Sequence, residues 1–224
     1  MTKKFKLGKT RMIKVGPDEH EVVLYQIIAL CDFGSNKKGD IGGWVQKEEN
    51  LAQVGNCWIK DDACVFESGL IIEDATVFGS AKIYGNAILS GNSIVHENAQ
   101  IFGNSKVCNN ALIYGDAKIY GNSTISGYAN IYGKAVVSGK AHIEHLTSLT
   151  GGKWTETPLY ISVANYYMFM CDNSHLQISS TIYTIKQWLK GGIDLIKTDI
   201  FTKEQCREFT AYIKLFEKKY SKEK

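Results

Sequence analysis

The sequence predicts a mainly β protein built around a three-sided solenoid of stacked coils. Read in sixes from Cys57, the chain gives fifteen consecutive units without an insertion. The third place of each unit is aliphatic, the first is small, and the fifth and sixth are often Gly-Asn, Gly-Asp, Glu-Asn or Glu-Asp. The chain has 21 glycines but only 2 prolines, which favours a glycine-based bend used many times.

The six-residue spacing explains the expected shape. A short extended segment points its aliphatic side chain inward and the two neighbouring side chains outward. Gly and Asn accept the left-handed backbone conformation that bends the chain sharply, and a small residue fits inside the corner. Three bends close a triangle, so the fifteen units predict about five coils. At the spacing of paired strands they form a stack of roughly 24 Å.

The outward residues repeat every third unit, as a triangular cross-section requires. We number the three faces by the residue that follows the aliphatic one. The first face carries Phe66, Tyr84, Phe102, Tyr120 and Ser138. The second face carries Ile72, Ser90, Cys108, Ser126 and Glu144. The third face carries Lys60, Phe78, His96, Tyr114 and Tyr132.

Over residues 57–146 the units resemble the hexapeptide repeat of left-handed parallel β-helix proteins. The left-handed coiling is implied by this resemblance. The segment that leads into the repeat, LYQIIALCDFGSNKKGDIGGWVQKEENLAQVGNCWI, is similar to that of uncharacterised hexapeptide-repeat proteins of bacteria and phages. The exit segments CDNSHLQIS and YTIKQW are similar to the same group.

The flanks are expected to cap the repeat, which we place at 51–146. Residues 1–50 read as a β-rich N-terminal cap with a hairpin that turns at Pro17, and Trp44 and Trp58 are expected to cover the open end of the core.

Residues 147–224 read as a small α/β cap. GGKWTETP is expected to be a linker, LYISVANYYMFMC and HLQIS to be strands, and TIKQWLKG to be a short helix that stops at Gly191. Thr202 and Gln205 form a capping box for a terminal amphipathic helix. The apolar stripe of that helix is Cys206, Phe209, Ile213, Phe216 and Tyr220.

Composition excludes several classes. The net charge of +3 gives no strong field toward nucleic acid or an anionic membrane, so neither is expected as a partner. Apolar runs are too short to span a bilayer, and the start lacks a signal-peptide core. The six cysteines are scattered without a CxxC pair, which favours reduced thiols in the cytoplasm, the host cytoplasm if the protein is phage-encoded.

The resemblance also implies a test for catalysis. Many hexapeptide-repeat proteins are trimeric acyltransferases that use acyl-CoA and a catalytic histidine between subunits. His96 is the candidate for that role, but no loop breaks the repeat to fold over an acyl-CoA. We therefore expect no catalysis, no cofactor and no metal site, since the histidines lie on different faces or far apart in sequence.

Binding is the preferred class of function. Part of the third face forms an apolar and aromatic surface typical of an interface, with Trp58, Phe78, Ile94, His96, Leu112, Tyr114 and Tyr132. The C-terminal segment, a sister subunit or a foreign protein could cover it. A homo-oligomer, trimer or dimer, is favoured. The simpler alternative is a ladder that only stiffens the sheet.

The first face supports a second binding hypothesis, because lysines alternate there with aromatic residues. Such a surface can stack a base and neutralise phosphate, so it predicts a nucleotide or phosphorylated ligand held between subunits. The residues are Phe66, Lys82, Tyr84, Gln100, Phe102, Lys118 and Tyr120. An ordinary solvated face is the alternative. The sequence thus predicts a non-catalytic binding or scaffold protein; the resemblance adds a phage inhibitor of host defence.

Overall fold

The computed structural model describes residues 3–16, 18–163, 166–192 and 202–220. It confirms the mainly β fold: a parallel β-helix of about six turns lies between an antiparallel hairpin and a C-terminal cap of strands and short helices. Among these residues no helix is both long and apolar enough to cross a membrane.

The N-terminal hairpin is confirmed. Strands β1 (Phe5–Val15) and β2 (His20–Ala29) pair antiparallel, and β2 pairs in turn with β3 (Ile41–Val45). Strand β3 connects this antiparallel unit to the solenoid, because its other edge pairs parallel with a strand of the first coil. Pro17, predicted in the hairpin turn, lies outside the described residues.

Strand β2 buries different faces along its length. Val22 and Leu24 pack on the outer surface of the solenoid, whereas Ile27 and Ala29 join the main core. A register shift between Gln26 and Ile28 separates the two halves. A one-residue shift moves side chains to the opposite face of a strand, so one hairpin covers both a side and the end of the solenoid.

The solenoid consists of two-residue strands, one for each hexapeptide unit and two more. They are β4 (Trp58–Ile59), β5 (Cys64–Val65), β6 (Leu70–Ile71), β7 (Thr76–Val77), β8 (Lys82–Ile83), β9 (Ile88–Leu89), β10 (Ile94–Val95), β11 (Gln100–Ile101), β12 (Lys106–Val107), β13 (Leu112–Ile113), β14 (Lys118–Ile119), β15 (Thr124–Ile125), β16 (Asn130–Ile131), β17 (Val136–Val137), β18 (His142–Ile143), β19 (Ser148–Leu149) and β20 (Lys153–Trp154). A 3₁₀ turn, Glu48–Asn50, precedes them.

The strands form the three predicted faces. The first face has the order β3-β5-β8-β11-β14-β17-β20, the second β6-β9-β12-β15-β18, and the third β4-β7-β10-β13-β16-β19. The residues on either side of the inward one donate their backbone N–H to the following coil, as from Lys82 to the carbonyl of Ala99 at 2.9 Å and from Tyr84 to that of Ile101 at 3.0 Å. Every aliphatic side chain in the third place is at most 1% exposed, so the triangle encloses one continuous core.

The strand series is longer than the hexapeptide units indicated. GGKWTETP, predicted to be a linker, contributes β20, whose Trp154 fills the inward position at 5% exposure. Val137 pairs with Trp154 after 17 residues, whereas Ile131 pairs with Leu149 after 18. The six-residue period is not recognisable in the sequence at this point, because the coil is one residue shorter and a tryptophan occupies the inward position where an aliphatic residue was expected.

The C-terminal cap has the two predicted strands, the first of them split into two, and a further strand, Thr181–Thr184, that was not predicted. Strands β21 (Tyr160–Val163), β22 (Tyr166–Met170), β23 (His175–Ile178) and β24 (Thr181–Thr184) form an antiparallel sheet. Helix α1 (Ile185–Gln187) and a π turn (Trp188–Gly192) follow, and Gly191 is non-helical as predicted.

The terminal helix α2 (Lys203–Tyr220) has the predicted capping box and stripe. The Thr202 N–H donates to Gln205 Oε1 at 2.8 Å, and the Gln205 N–H donates to Thr202 Oγ1 at 3.2 Å. Phe209, Ile213 and Phe216 are buried in the main core, which extends from the hairpin to this helix.

The corners follow a rule that the sequence alone did not reveal. The fifth place of every unit has a left-handed backbone, including six places that are not glycine. Those six are Asp61, Glu67, Glu73, Glu97, Asn109 and His145. Wherever one of these is followed by another coil, the corner directly ahead of it is glycine. A Cβ on Gly79, for example, would lie 2.8 Å from the backbone nitrogen of Glu97.

The acidic corners also bond to the glycine ahead of them. Carboxylate oxygens of Asp61, Glu67 and Glu97 accept from the N–H of the glycine one coil later, at 3.1, 2.7 and 2.8 Å. Glu73 accepts in the same way from Gly91. An acidic residue at a corner therefore satisfies a backbone donor of the following coil.

We expect Gly103→Ala to lower the free energy of unfolding by about 1–3 kcal/mol, since an L-residue resists the left-handed conformation. The new Cβ would also lie 2.9 Å from the nitrogen of Gly121. Gly103→Asn should cost less, because Asn adopts this conformation more readily and does so at Asn109. Urea unfolding at one protein concentration measures both, and an alanine variant as stable as the wild type would contradict the rule.

Candidate binding faces and histidine clusters

The third-face aromatic residues form a continuous stack. Phe78, His96, Tyr114 and Tyr132 follow one another with ring centroids 4.7, 5.0 and 4.9 Å apart and planes within 2° of parallel. Strand pairing fixes this spacing, because equivalent residues of successive coils lie about one strand separation apart. The stack forms a flat ridge along the solenoid.

The two aliphatic members of the proposed third-face interface lie beside this stack. Ile94 is 39% exposed, and its neighbour in the next coil, Leu112, is half-buried. Between Thr76 and Asn130 the outward positions of β7, β10, β13 and β16 hold no Lys, Arg, Asp or Glu. The structure thus brings these predicted residues together on strand positions without Lys, Arg, Asp or Glu, and the nearest carboxylate is that of Glu97 at the corner beside His96.

Trp58 is not part of that exposed surface. Its side chain is 2% exposed and makes edge contacts with Phe5 at 6.3 Å and Phe33 at 5.1 Å. Trp58 therefore covers the end of the core, which was one of the two roles predicted for it, the other being a place in the third-face interface. Trp44 does not share that role: it faces outward on β3, with the Arg11 guanidinium 4.2 Å above its ring.

The first face has a matching stack of four rings. Phe66, Tyr84, Phe102 and Tyr120 have centroid separations of 4.9, 4.8 and 4.9 Å and planes within 8° of parallel. Phe66 is buried beneath Val22 and Leu24 of the hairpin, so it is not available to a ligand. A hairpin folding back onto the side of the solenoid leaves no local signal in the repeat.

The remaining first-face residues lie together, but their rings already cover one another. Lys82, Gln100 and Lys118 stand in register on successive coils beside Tyr84, Phe102 and Tyr120. Rings about 4.8 Å apart leave no gap for a base to enter between them. A ligand here would meet ring edges and two lysines, and the nucleotide site stays a prediction.

His96 lies within the third-face stack. Its ring is sandwiched between Phe78 and Tyr114, and its Nδ1 lies 3.8 Å from Glu97 Oε1. About a fifth of the side chain is exposed. A base must reach the proton it removes, and here only the ring edge is open to a substrate.

A second histidine cluster lies at the C-terminal end of the second face. Glu144 contacts both His142 Nε2 at 3.5 Å and His145 Nε2 at 3.2 Å. The His145 ring also contacts the ring of Tyr160 of the cap, with centroids 5.0 Å apart and planes tilted by 31°. These residues line a hollow of about 430 Å³ that the repeat pattern did not predict, because Tyr160 and Lys219 come from the cap.

The other nucleophile candidates lack the required geometry. In the turn before β23, the Ser174 hydroxyl and the Asp172 carboxylate both lie 2.9 Å from Nδ1 of His175, whereas a catalytic triad places them on opposite nitrogens. All six cysteines are free thiols, and burial raises the pKa of Cys171 to about 11. A raised pKa disfavours the reactive thiolate. The described residues hold no group of three His, Cys, Asp or Glu placed to bind a metal.

Two comparisons with known proteins match the repeat. A family model described as YdcK beta solenoid repeat matches residues 81–97. Over 51 residues the chain is 47% identical to the Uncharacterized acetyltransferase YdcK of Escherichia coli (strain K12). That stretch is 23% of this chain and 16% of the relative's length. Together with the observed strand order, these matches fit a hexapeptide-repeat parallel β-helix protein.

Proposed function

We propose that the protein is a binding scaffold whose third face joins it to further copies of the same chain. The observation that carries this proposal is the uncharged ridge of Phe78, His96, Tyr114 and Tyr132 beside the exposed Ile94. Apolar surface of this kind on a monomer is typical of an interaction site.

A second copy fits this surface better than it fits the others. Symmetric oligomers bring the same residues of different copies close together, which is costly where those residues share a charge. The third-face strands between Thr76 and Asn130 hold no formally charged side chain, whereas the first face holds Lys82 and Lys118 and the second holds Lys106. Near-parallel ring planes also make the ridge straight, so two ridges can meet along several coils.

We expect the wild type to sediment as a dimer or trimer and the double variant Ile94→Glu, Leu112→Glu to sediment as a monomer. Each copy of the variant brings two carboxylates to the contact, and their burial is unfavourable. The matched control is Leu70→Glu, Ile88→Glu, which places the same charges on directly paired residues of the second face, as Ile94 and Leu112 are paired on the third. A monomeric wild type at tens of micromolar, or a control that dissociates equally, would exclude this role.

Acyl transfer is a second candidate, because the matched relative is named an acetyltransferase. In this case His96 would act as the general base, with Glu97 beside its Nδ1 orienting the ring. Its position within a face that we propose to join subunits would place it at a subunit boundary. The inhibition of a host defence protein stays a prediction from the sequence resemblance.

The variant His96→Phe separates the scaffold from the enzyme. It keeps a planar ring between Phe78 and Tyr114 and removes the titratable nitrogen, so oligomer mass should not change. Under the scaffold proposal, release of free CoA from acetyl-CoA, measured with a thiol reagent over a panel of amine and hydroxyl acceptors, is equal in the variant and the wild type. Turnover that depends on His96 would establish the acyltransferase instead.

A further inference from the structure

A cavity of about 680 Å³ lies where the last turn of the solenoid meets the C-terminal cap. Residues 153–158 line it on the solenoid side, and Asn173, Lys186 and Lys219 are among the lining residues of the cap. Its volume is in the range of small-molecule sites, roughly 300–1,000 Å³. It is separate from both aromatic stacks, so an inference about it does not depend on the proposed oligomer.

The solenoid ends at this cavity with unpaired backbone donors. In the preceding coil, the N–H groups of Val136 and Ser138 donate to the carbonyls of Gly152 and Trp154 at 2.9 and 2.8 Å. The equivalent groups of the last strand belong to Lys153 and Thr155, and no further coil follows β20. Within the described ranges no oxygen accepts a hydrogen bond from either N–H. Backbone donors at the edge of a sheet can bind an anion.

Lysines surround these donors. Lys153, Lys186 and Lys219 line the cavity, and Glu156 is the one acidic residue among the lining residues. The lysine ion pairs found in the described part of the chain involve Lys3, Lys14 and Lys37, and none of the three cavity lysines. Three ammonium groups against one carboxylate give the cavity a positive potential that suits a dianion.

The cavity also has an aromatic wall. The rings of Trp154 and Tyr220 meet edge to face with centroids 6.3 Å apart. The Trp154 Nε1–H donates to the Gly151 carbonyl at 2.9 Å, and the Tyr220 hydroxyl accepts from the Leu159 N–H at 2.8 Å. The polar atoms of both rings are therefore engaged within the protein. Trp154 is only 5% exposed, so the half-buried Tyr220 supplies the carbon surface that a ligand would contact.

We propose that this cavity binds a small organic phosphate. The phosphate lies at the N–H groups of Lys153 and Thr155 and is neutralised by Lys186 and Lys219 together with the Lys153 ammonium. The organic part, a planar ring, packs on Tyr220 beside the Lys219 ammonium, which lies 5.5 Å from the centre of the Tyr220 ring. Phosphate monoesters carry the charge that the lysines require, and a ring gains further affinity from the aromatic wall.

Calorimetric titration of the full chain with AMP tests the proposal, with adenosine and inorganic phosphate as the two halves of the probe. We expect AMP to bind at least tenfold more tightly than either half and to weaken as salt is added. The variant Lys153→Gln, Lys186→Gln, Lys219→Gln should bind AMP at least tenfold more weakly. The matched control, Lys6→Gln, Lys9→Gln, Lys38→Gln, removes three exposed lysines from the N-terminal part of the chain, away from the cavity, and should bind as the wild type does.

The outcomes separate cleanly. Absence of binding at millimolar AMP, equal binding of adenosine, or equal loss in the control variant would each overturn the proposal. If the cavity variant does not fold, the wild type still decides, because the amide signals of Lys153 and Thr155 should shift on titration with AMP. Unchanged amide signals in the presence of bound AMP would place the ligand elsewhere and reject this site.

Discussion

The left-handed corner is the constraint on which the rest of this structure depends. A chain that turns once every six residues brings equivalent residues of successive coils into contact, and each coil then donates its backbone N–H groups to the next. The aliphatic core, the flat faces and the ring stacks all follow from that repeat. The cost is an unfavourable backbone conformation at each corner, which glycine removes at nine of the fifteen units and carboxylate bonds offset at four others.

The same repeat gives the faces their chemical character. Each side chain that follows the aliphatic residue has a fixed neighbour, because the next coil places the equivalent side chain about one strand spacing away. Aromatic rings in a column must therefore stack, as Tyr84 and Phe102 do on the first face and Tyr114 and Tyr132 on the third. What distinguishes the faces is the position before the aliphatic residue, lysine on one and Ile94 or Leu112 on the other.

Those parts of the fold that the hexapeptide period determines could be predicted from the sequence. The inward residues, the assignment of columns to faces and the terminal helix follow from local spacing, and all are confirmed. The sequence could not predict the burial of Phe66, which depends on a hairpin folding back from a distant segment, nor the strand at Trp154, where the period slips by one residue. The cavity beside Trp154 and the contact of His145 with Tyr160 lie between the repeat and the cap. Contacts of this kind could not be predicted because they follow no sequence period.

The spacing of glycines along the corner columns limits how such a solenoid can gain or lose length. Removing residues 79–96 would place Glu97 on the corner that follows Asp61 and Asn109 on the corner that follows Glu73. Two pairs of successive corners would then both carry side chains, whereas in the present chain a glycine follows each of Asp61 and Glu73. Removing 103–120 instead would leave a glycine ahead of every side-chain-bearing corner. Coils of equal size and shape are therefore not interchangeable. Which coils the protein could lose or duplicate depends on which corners lack a side chain.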